Sequence, residues 1–331
     1  MKKRLFVGNG IFLAAILLIG QTASAQNCAI AVSLAPAKTN YLQDDLFEVN
    51  LQFRNQGNAE ALLKVVYPLL RHPTGVRLTF TPVGGLVSSA NMRVFDAGLT
   101  GAPLPLPTGR MISIKVYLQR FLDGFRPGRF DIPWEISVPC EGKSNASSAR
   151  GILTINIIQA ENPSLQAEFA TLVTRAGTRD EEARRNFTET PLRVQEAIEA
   201  LRVATSPLVL PFLEQLAGSS DSYAQDVAVD AISRFKTNPE ARRFVFQALQ
   251  SSEVGQVGLG LEILTRWQEV LPESDVRSLM NKPDPATRIT VLTYLGRFQH
   301  PGYAPILEEY SGDPNPVVAA EAKRAAGLIK R

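Results

Sequence analysis

Two periodicities divide the chain. In the N-terminal half, apolar residues recur at every second position. Phe47, Val49, Leu51 and Phe53 point one way and Glu48, Asn50, Gln52 and Arg54 the other, the pattern of a half-buried strand. Asn55-Gln56-Gly57-Asn58 follows as a turn signal. Ile112, Ile114, Val116 and Leu118 alternate with Ser113, Lys115, Tyr117 and Gln119. Phe130, Ile132, Trp134, Ile136 and Val138 share one face of a strand that ends at Cys140. Further strands are predicted near 28–34, 61–67, 76–82, 91–96 and 151–158. Seven or eight short strands with polar outer faces across 26–162 predict a β-sandwich.

At Glu161-Asn162-Pro163 the apolar spacing changes to three and four, which marks helices. An internal repeat runs through 163–331. Its anchor residues Leu201, Ile232, Leu264, Leu295 and Ala326 lie 31, 32, 31 and 31 residues apart. Three residues after the middle anchors stand Phe235, Trp267 and Phe298. A proline break follows each of the first four anchors, at Pro207, Pro239, Pro272 and Pro301. Proline is tolerated in the first turn of a helix and poor in its interior, so each break opens a second helix. The second helices carry apolar faces of their own: Phe212, Leu213 and Leu216; Phe244, Ala248 and Leu249; Val276, Leu279 and Met280; Ile306, Leu307 and Tyr310.

A unit of about 31 residues with two helices resembles the short HEAT-repeat (HEAT/PBS-lyase-like) family, whereas tetratricopeptide units run longer and carry another pattern. Asp284-Pro285-Ala286-Thr287-Arg288 and Asp313-Pro314-Asn315-Pro316-Val317 resemble the Asp-Pro opening of that family's first helix. The resemblance covers 190–331, with a weaker first unit at 164–189. It implies an α-solenoid that presents one helix face to a protein partner. Here that face would be the second helices, with Arg242, Arg243, Gln247, Arg277, Glu308 and Glu309 as candidate contacts. The bilin-lyase chemistry of some members is not implied, because no spare cysteine is present. In the first half, Trp134 near Cys140 and Pro127-Gly128-Arg129-Phe130-Asp131-Ile132 resemble bacterial immunoglobulin-like domains. Cys28, at the start of the first strand, departs from the antibody-type disulfide. The expected fold class is therefore multidomain, all-β plus all-α: an immunoglobulin-like sandwich over 26–162 and a HEAT-like solenoid over 163–331.

Charge and leader narrow the compartment. Lys2-Lys3-Arg4, the apolar run Ile11 to Ile19 and Ala23-Ser24-Ala25 read as a signal peptide over 1–25. The chain has 35 Lys and Arg against 32 Asp and Glu. The leader holds the excess of three, so the chain from Gln26 is neutral and points to no nucleic-acid partner. No further apolar stretch is long enough to span a membrane. The expected location is the periplasm or the extracellular space. There, the two cysteines Cys28 and Cys140, both phased toward the apolar side of their strands, are expected to form a disulfide.

Candidate chemistry is sparse. The loop Arg120-Phe121-Leu122-Asp123-Gly124-Phe125-Arg126 mixes arginine and aromatic residues of the kind enriched at binding hot spots. The plainer reading packs them over the end of the sandwich. His72 and His300 each precede a proline in a turn. No nucleophile elbow, zinc helix or phosphate loop is present in the sequence. No catalytic residue, metal ligand or cofactor is therefore assigned. The expected function is an exported, non-enzymatic interaction or scaffold protein. The alternatives are a glycan or cell-wall binder acting through the sandwich loops, and a hydrolase built from scattered carboxylates.

Overall fold

A computed structural model describes residues 23–24, 29–63, 75–89, 104–139, 147–177, 190–219 and 222–329. Cys28, Cys140, His72, the strand expected near 91–96 and all of the leader except Ala23 and Ser24 lie outside the described residues. The strands are β1 (Ala23–Ser24), β2 (Ile30–Pro36), β3 (Asn40–Leu42), β4 (Glu48–Asn55), β5 (Ala61–Leu63), β6 (Arg77–Phe80), β7 (Val87–Ser88), β8 (Leu104–Leu106), β9 (Met111–Tyr117), β10 (Leu122–Asp123), β11 (Gly128–Val138) and β12 (Ser147–Ile158). Two four-stranded sheets carry most of them, in the orders β1-β2-β4-β9 and β3-β12-β11-β6. β5 pairs with β8 and β7 with β10. Every pairing is antiparallel except β3 with β12.

The alternation seen in sequence becomes burial. Val49, Leu51 and Phe53 of β4 and Phe130, Ile132, Trp134, Ile136 and Val138 of β11 belong to one apolar cluster. Gly128 opens β11 at φ 141°, a conformation that side-chain-bearing residues rarely adopt. That accounts for the Pro-Gly step. Across the ladder Gly151 faces Trp134; a Cβ there would lie 2.9 Å from the indole Cζ2. Only glycine lets the ring lie flat on the neighbouring strand.

The helices are α1 (Leu165–Gly177), α2 (Thr190–Val203), α3 (Leu210–Ala217), α4 (Ser222–Ile232), α5 (Pro239–Gln250), α6 (Val254–Trp267), α7 (Glu273–Met280), α8 (Pro285–Phe298), α9 (Ala304–Tyr310) and α10 (Pro316–Ile329). The first helices of the units, α2, α4, α6, α8 and α10, pack side by side in that order. Each second helix (α3, α5, α7, α9) packs on the first helix that follows it. Caps set the boundaries. Asn238 accepts from Glu240 N at 2.8 Å, Asp284 from Thr287 N at 3.0 Å and Asn315 from Val317 N at 3.0 Å. A side-chain oxygen here satisfies backbone donors that a helix start leaves unpaired. Gln268 and Gln299 end α6 and α8 in the left-handed conformation.

Leu201, Ile232, Leu264 and Leu295 are fully buried. In the last unit Ala325 is fully buried and Ala326 only partly so. The reason is a close helix crossing: a Cβ on Gly296 would lie 3.1 Å from that of Ala325. Hydrogen bonds between units satisfy some helix-end backbone groups. Trp267 Nε1 donates to Ser233 O at 2.8 Å, and Lys236 Nζ to Trp267 O at 2.5 Å.

The two regions touch. Leu46 and Tyr117 of the β region join the helical core cluster. The connecting residue Asn162 donates from its backbone N to Asp44 Oδ1 at 3.0 Å and from Nδ2 to Asp45 Oδ1 at 2.7 Å. Its own Oδ1 accepts from Ser164 N at 2.9 Å, at the start of α1.

Candidate functional site

A row of alternating charges starts in the β region and runs along the first helices. Arg120 Nε lies 3.0 Å from Glu199 Oε1, an ion pair whose geometry misses a linear hydrogen bond. Arg202 stands 3.7 Å from Glu199 and 2.8 Å from Asp230. Arg266 continues the row at 3.1 Å from Asp230 and 3.6 Å from Glu262. Arg297 closes it at 2.7 Å from Glu262. The residue order is Arg120, Glu199, Arg202, Asp230, Arg266, Glu262, Arg297, with the sign alternating at every step.

Local structure explains the order. Glu199, Asp230 and Glu262 each stand two residues before a buried anchor, and Arg234, Arg266 and Arg297 two residues after one. Helices stacked one unit apart therefore bring the arginine of one unit to the acid of the unit before it. In the second unit Arg234 lies near Glu199 of the first and Asp230 of its own. Its stem is part-exposed but its guanidinium end is enclosed, and burial pulls its pKa down to about 10. It remains a cation at neutral pH.

The energetics change along the row. Arg120 is 3% exposed and Arg202 2%, Asp230 17%, Glu262 37% and Arg297 58%. Removing one member of a buried pair strands the other charge and costs ~3–5 kcal/mol, while an exposed pair contributes ~0–1 kcal/mol. The β-region end thus locks the fold and the far end does not. Beside the lock, Lys115 N of β9 donates to Glu196 Oε1 at 2.8 Å. A side chain of α2 thereby engages the backbone of β9, whose strand partner in the sheet is β4. Burial raises the pKa of Glu196, opposed by that Lys115 hydrogen bond. Burial also raises that of Asp226, opposed by Arg266.

At the Arg297 end of the row, a cavity of about 230 Å³ lies between α6 and α8, with Glu262, Arg297, Thr265, Thr290 and Thr293 in its lining.

The sequence-predicted residues fall into three groups. Arg242 holds Glu269 in a two-pronged pair at 2.9 and 2.7 Å. Its guanidinium lies 5.8 Å from the ring of the exposed Phe246 and 5.5 Å from that of Trp267. Arg243 and Gln247 are exposed on the same helix. Arg277 bridges Glu273 and Glu309, each at 2.8 Å, and Glu308 is exposed beside them. The third group is corrected: Arg120 and Phe121 are buried, not presented on a loop. Phe121 packs edge-on against Phe80, and Phe125 against Phe47 and Phe130. Among that loop's arginine and aromatic residues Arg126 alone is exposed, donating to Gly84 O at 3.1 Å. The physical reason is that the loop opens as a helical turn at Leu118–Arg120, which aims Arg120 at α2 and its aromatics into the β core. The charge row was missed by sequence reasoning. Its signal, acids two before and arginines two after successive anchors, was present in the repeat.

Among the described residues no helix is long and apolar enough to cross a membrane. No protein-family model and no curated protein matches the chain. The crystal structure of an engineered protein is similar at 17% identity and a TM-score of 0.27, covering 49% of this chain and 79% of that one, a likeness too slight to carry the fold.

Proposed function

We propose that this is an exported, non-enzymatic interaction protein: an immunoglobulin-like sandwich seated on a HEAT-like solenoid whose helical units bind a protein partner. The observation that carries the reading is the charge row. Its first unit is occupied by the β region, through Arg120 on Glu199 and Lys115 N on Glu196. The same repeat positions continue into further units, with exposure rising along the row to Arg297. A row of helices that already docks one foreign surface offers the same face to a second. Stacked repeats commonly bind through such extended faces. The leader-like N-terminus and the neutral charge of the chain from Gln26 support export and a partner other than nucleic acid.

The test is site-specific photo-crosslinking of the full chain in its own compartment. A crosslinking residue replaces Thr293, Gln247 or, in the β region, Thr154. Adducts from the helical positions and none from Thr154 are expected, on a chain whose N-terminus is Gln26. Adducts from Thr154 alone, or a chain retained uncleaved in the cytoplasm, would overturn the reading.

A further inference from the structure

We propose that the cavity between α6 and α8 receives an arginine side chain from a protein partner. This rests on the reading of the helical units as a partner-binding face and gives that partner's chemistry at one point.

The cavity has acceptors to offer and its hydroxyl donors are spent. Thr265 Oγ1 donates to Leu261 O at 2.8 Å, Thr290 Oγ1 to Ala286 O at 2.9 Å and Thr293 Oγ1 to Glu321 Oε1 at 2.7 Å. Tyr294 lends its ring to the wall, and its hydroxyl donates to Glu269 O at 2.9 Å. A hydroxyl that has given its hydrogen still accepts. Glu262 adds a carboxylate. Arg266, outside the lining, holds Glu262 only loosely at 3.6 Å; Arg297, the cation of the lining, is engaged with Glu262 but 58% exposed, and an exposed pair of that kind exchanges readily. A ligand group suited to this lining must donate hydrogen bonds and carry positive charge. Guanidinium, with five donors and no acceptor, does both.

Size and wall agree. About 230 Å³ is below the ~300–1,000 Å³ typical of small-molecule sites and suits a single side chain. Gly258 and Ile289 form the wall on which an alkyl stem would lie. A Cβ at Gly258 would meet nothing nearer than Thr290 Cγ2 at 3.5 Å, so packing within the chain does not demand glycine there, although glycine weakens a helix. The chain also contains its own precedent. Glu199, at the same place relative to its anchor, receives Arg120 from another part of the fold, and Asp230 receives Arg202 and Arg266.

The probe is N-acetyl-arginine amide, with N-acetyl-citrulline amide as the neutral isostere. It is titrated into the full chain while the methyl groups of Thr265, Thr290, Thr293 and Ile289 are followed by NMR. Saturable shifts confined to these methyls are expected with the arginine probe, about tenfold weaker with citrulline. Glu262→Gln abolishes them, and Arg297→Gln, which removes the nearer and more exposed of the two arginines on Glu262, tightens binding. Both variants are checked for unchanged helicity and melting temperature. Equal response to citrulline, shifts retained in Glu262→Gln, or no gain in Arg297→Gln would overturn the site. Partner adducts from Thr293 that survive in Glu262→Gln would also overturn it while leaving the wider partner-binding reading standing. The absence of adducts from every helical position would overturn both.

Discussion

In the β region the residues that meet are far apart in sequence: Asn40 pairs beside Asn156, and Trp134 beside Phe80. In the helical region they are one repeat apart, as in Trp267 on Ser233 and Arg266 on Asp230. The β sheets close around an apolar cluster. The helical units carry charge along the whole row and depend on a neighbour at each end. A repeat cannot bury its own faces, so a terminal unit needs a cap. The β region supplies one together with α1: α1 packs on α2 and α3, and Leu46, Tyr117 and Arg120 adjoin the same end of the helical core. The difference teaches that one region is held by topology and the other by stacking, and that the first completes the second.

The sharpest way to break that comparison is to remove the cap's charge. Arg120→Ala leaves Glu199 buried beside Arg202 with its β-region partner gone and should cost ~3–5 kcal/mol in urea unfolding. Replacing the pair with Arg120→Met and Glu199→Leu should restore much of the loss. Next comes a change confined to the sheets. Gly151→Ala forces a methyl against Trp134 and should cost ~1–3 kcal/mol, read in the emission of that indole. A change confined to the helices is smaller: Asn238→Ala removes the cap of α5 and should cost ~1 kcal/mol by circular dichroism.

Glu196→Gln sharpens the interface by pH. Burial raises the folded pKa of Glu196 above its unfolded value of 4.5, so the folded state binds the proton more tightly. Stability from this group therefore falls as pH rises from 4.5 through the raised value. Glutamine, which still accepts from Lys115 N, should flatten that slope without lowering stability at pH 7. Arg277→Ala, on an exposed bridge, should leave the unfolding midpoint unchanged.

Legibility followed periodicity. The strands β4, β9 and β11 were readable because their inward residues alternate over seven residues or more. Of the pairs β5–β8 and β7–β10, only β5 falls in an expected strand, near 61–67; β7, β8 and β10 have only two or three residues, too short for any period to show. The helix pairs were readable because anchors and prolines recur together. Arg120 was not: an arginine beside an aromatic in a loop has the look of a surface contact. Its partner Glu199 lies far along the chain, on a helix face that a lone amphipathic helix would turn to water. Only the three-dimensional seating of β9 on α2 makes that face an interior. The acceptor-lined cavity was likewise hidden, because three threonines on two helices carry no periodic signature.

The chain has two tryptophans, Trp134 in the β region and Trp267 in the helical region. Variants keeping one of them each, unfolded in urea and followed by fluorescence, report on the regions separately. If the β region caps the helical row, the two curves coincide in the otherwise wild-type chain and separate when Arg120 is replaced by alanine. Curves that are already apart with Arg120 present, or that stay together without it, would contradict the capping account.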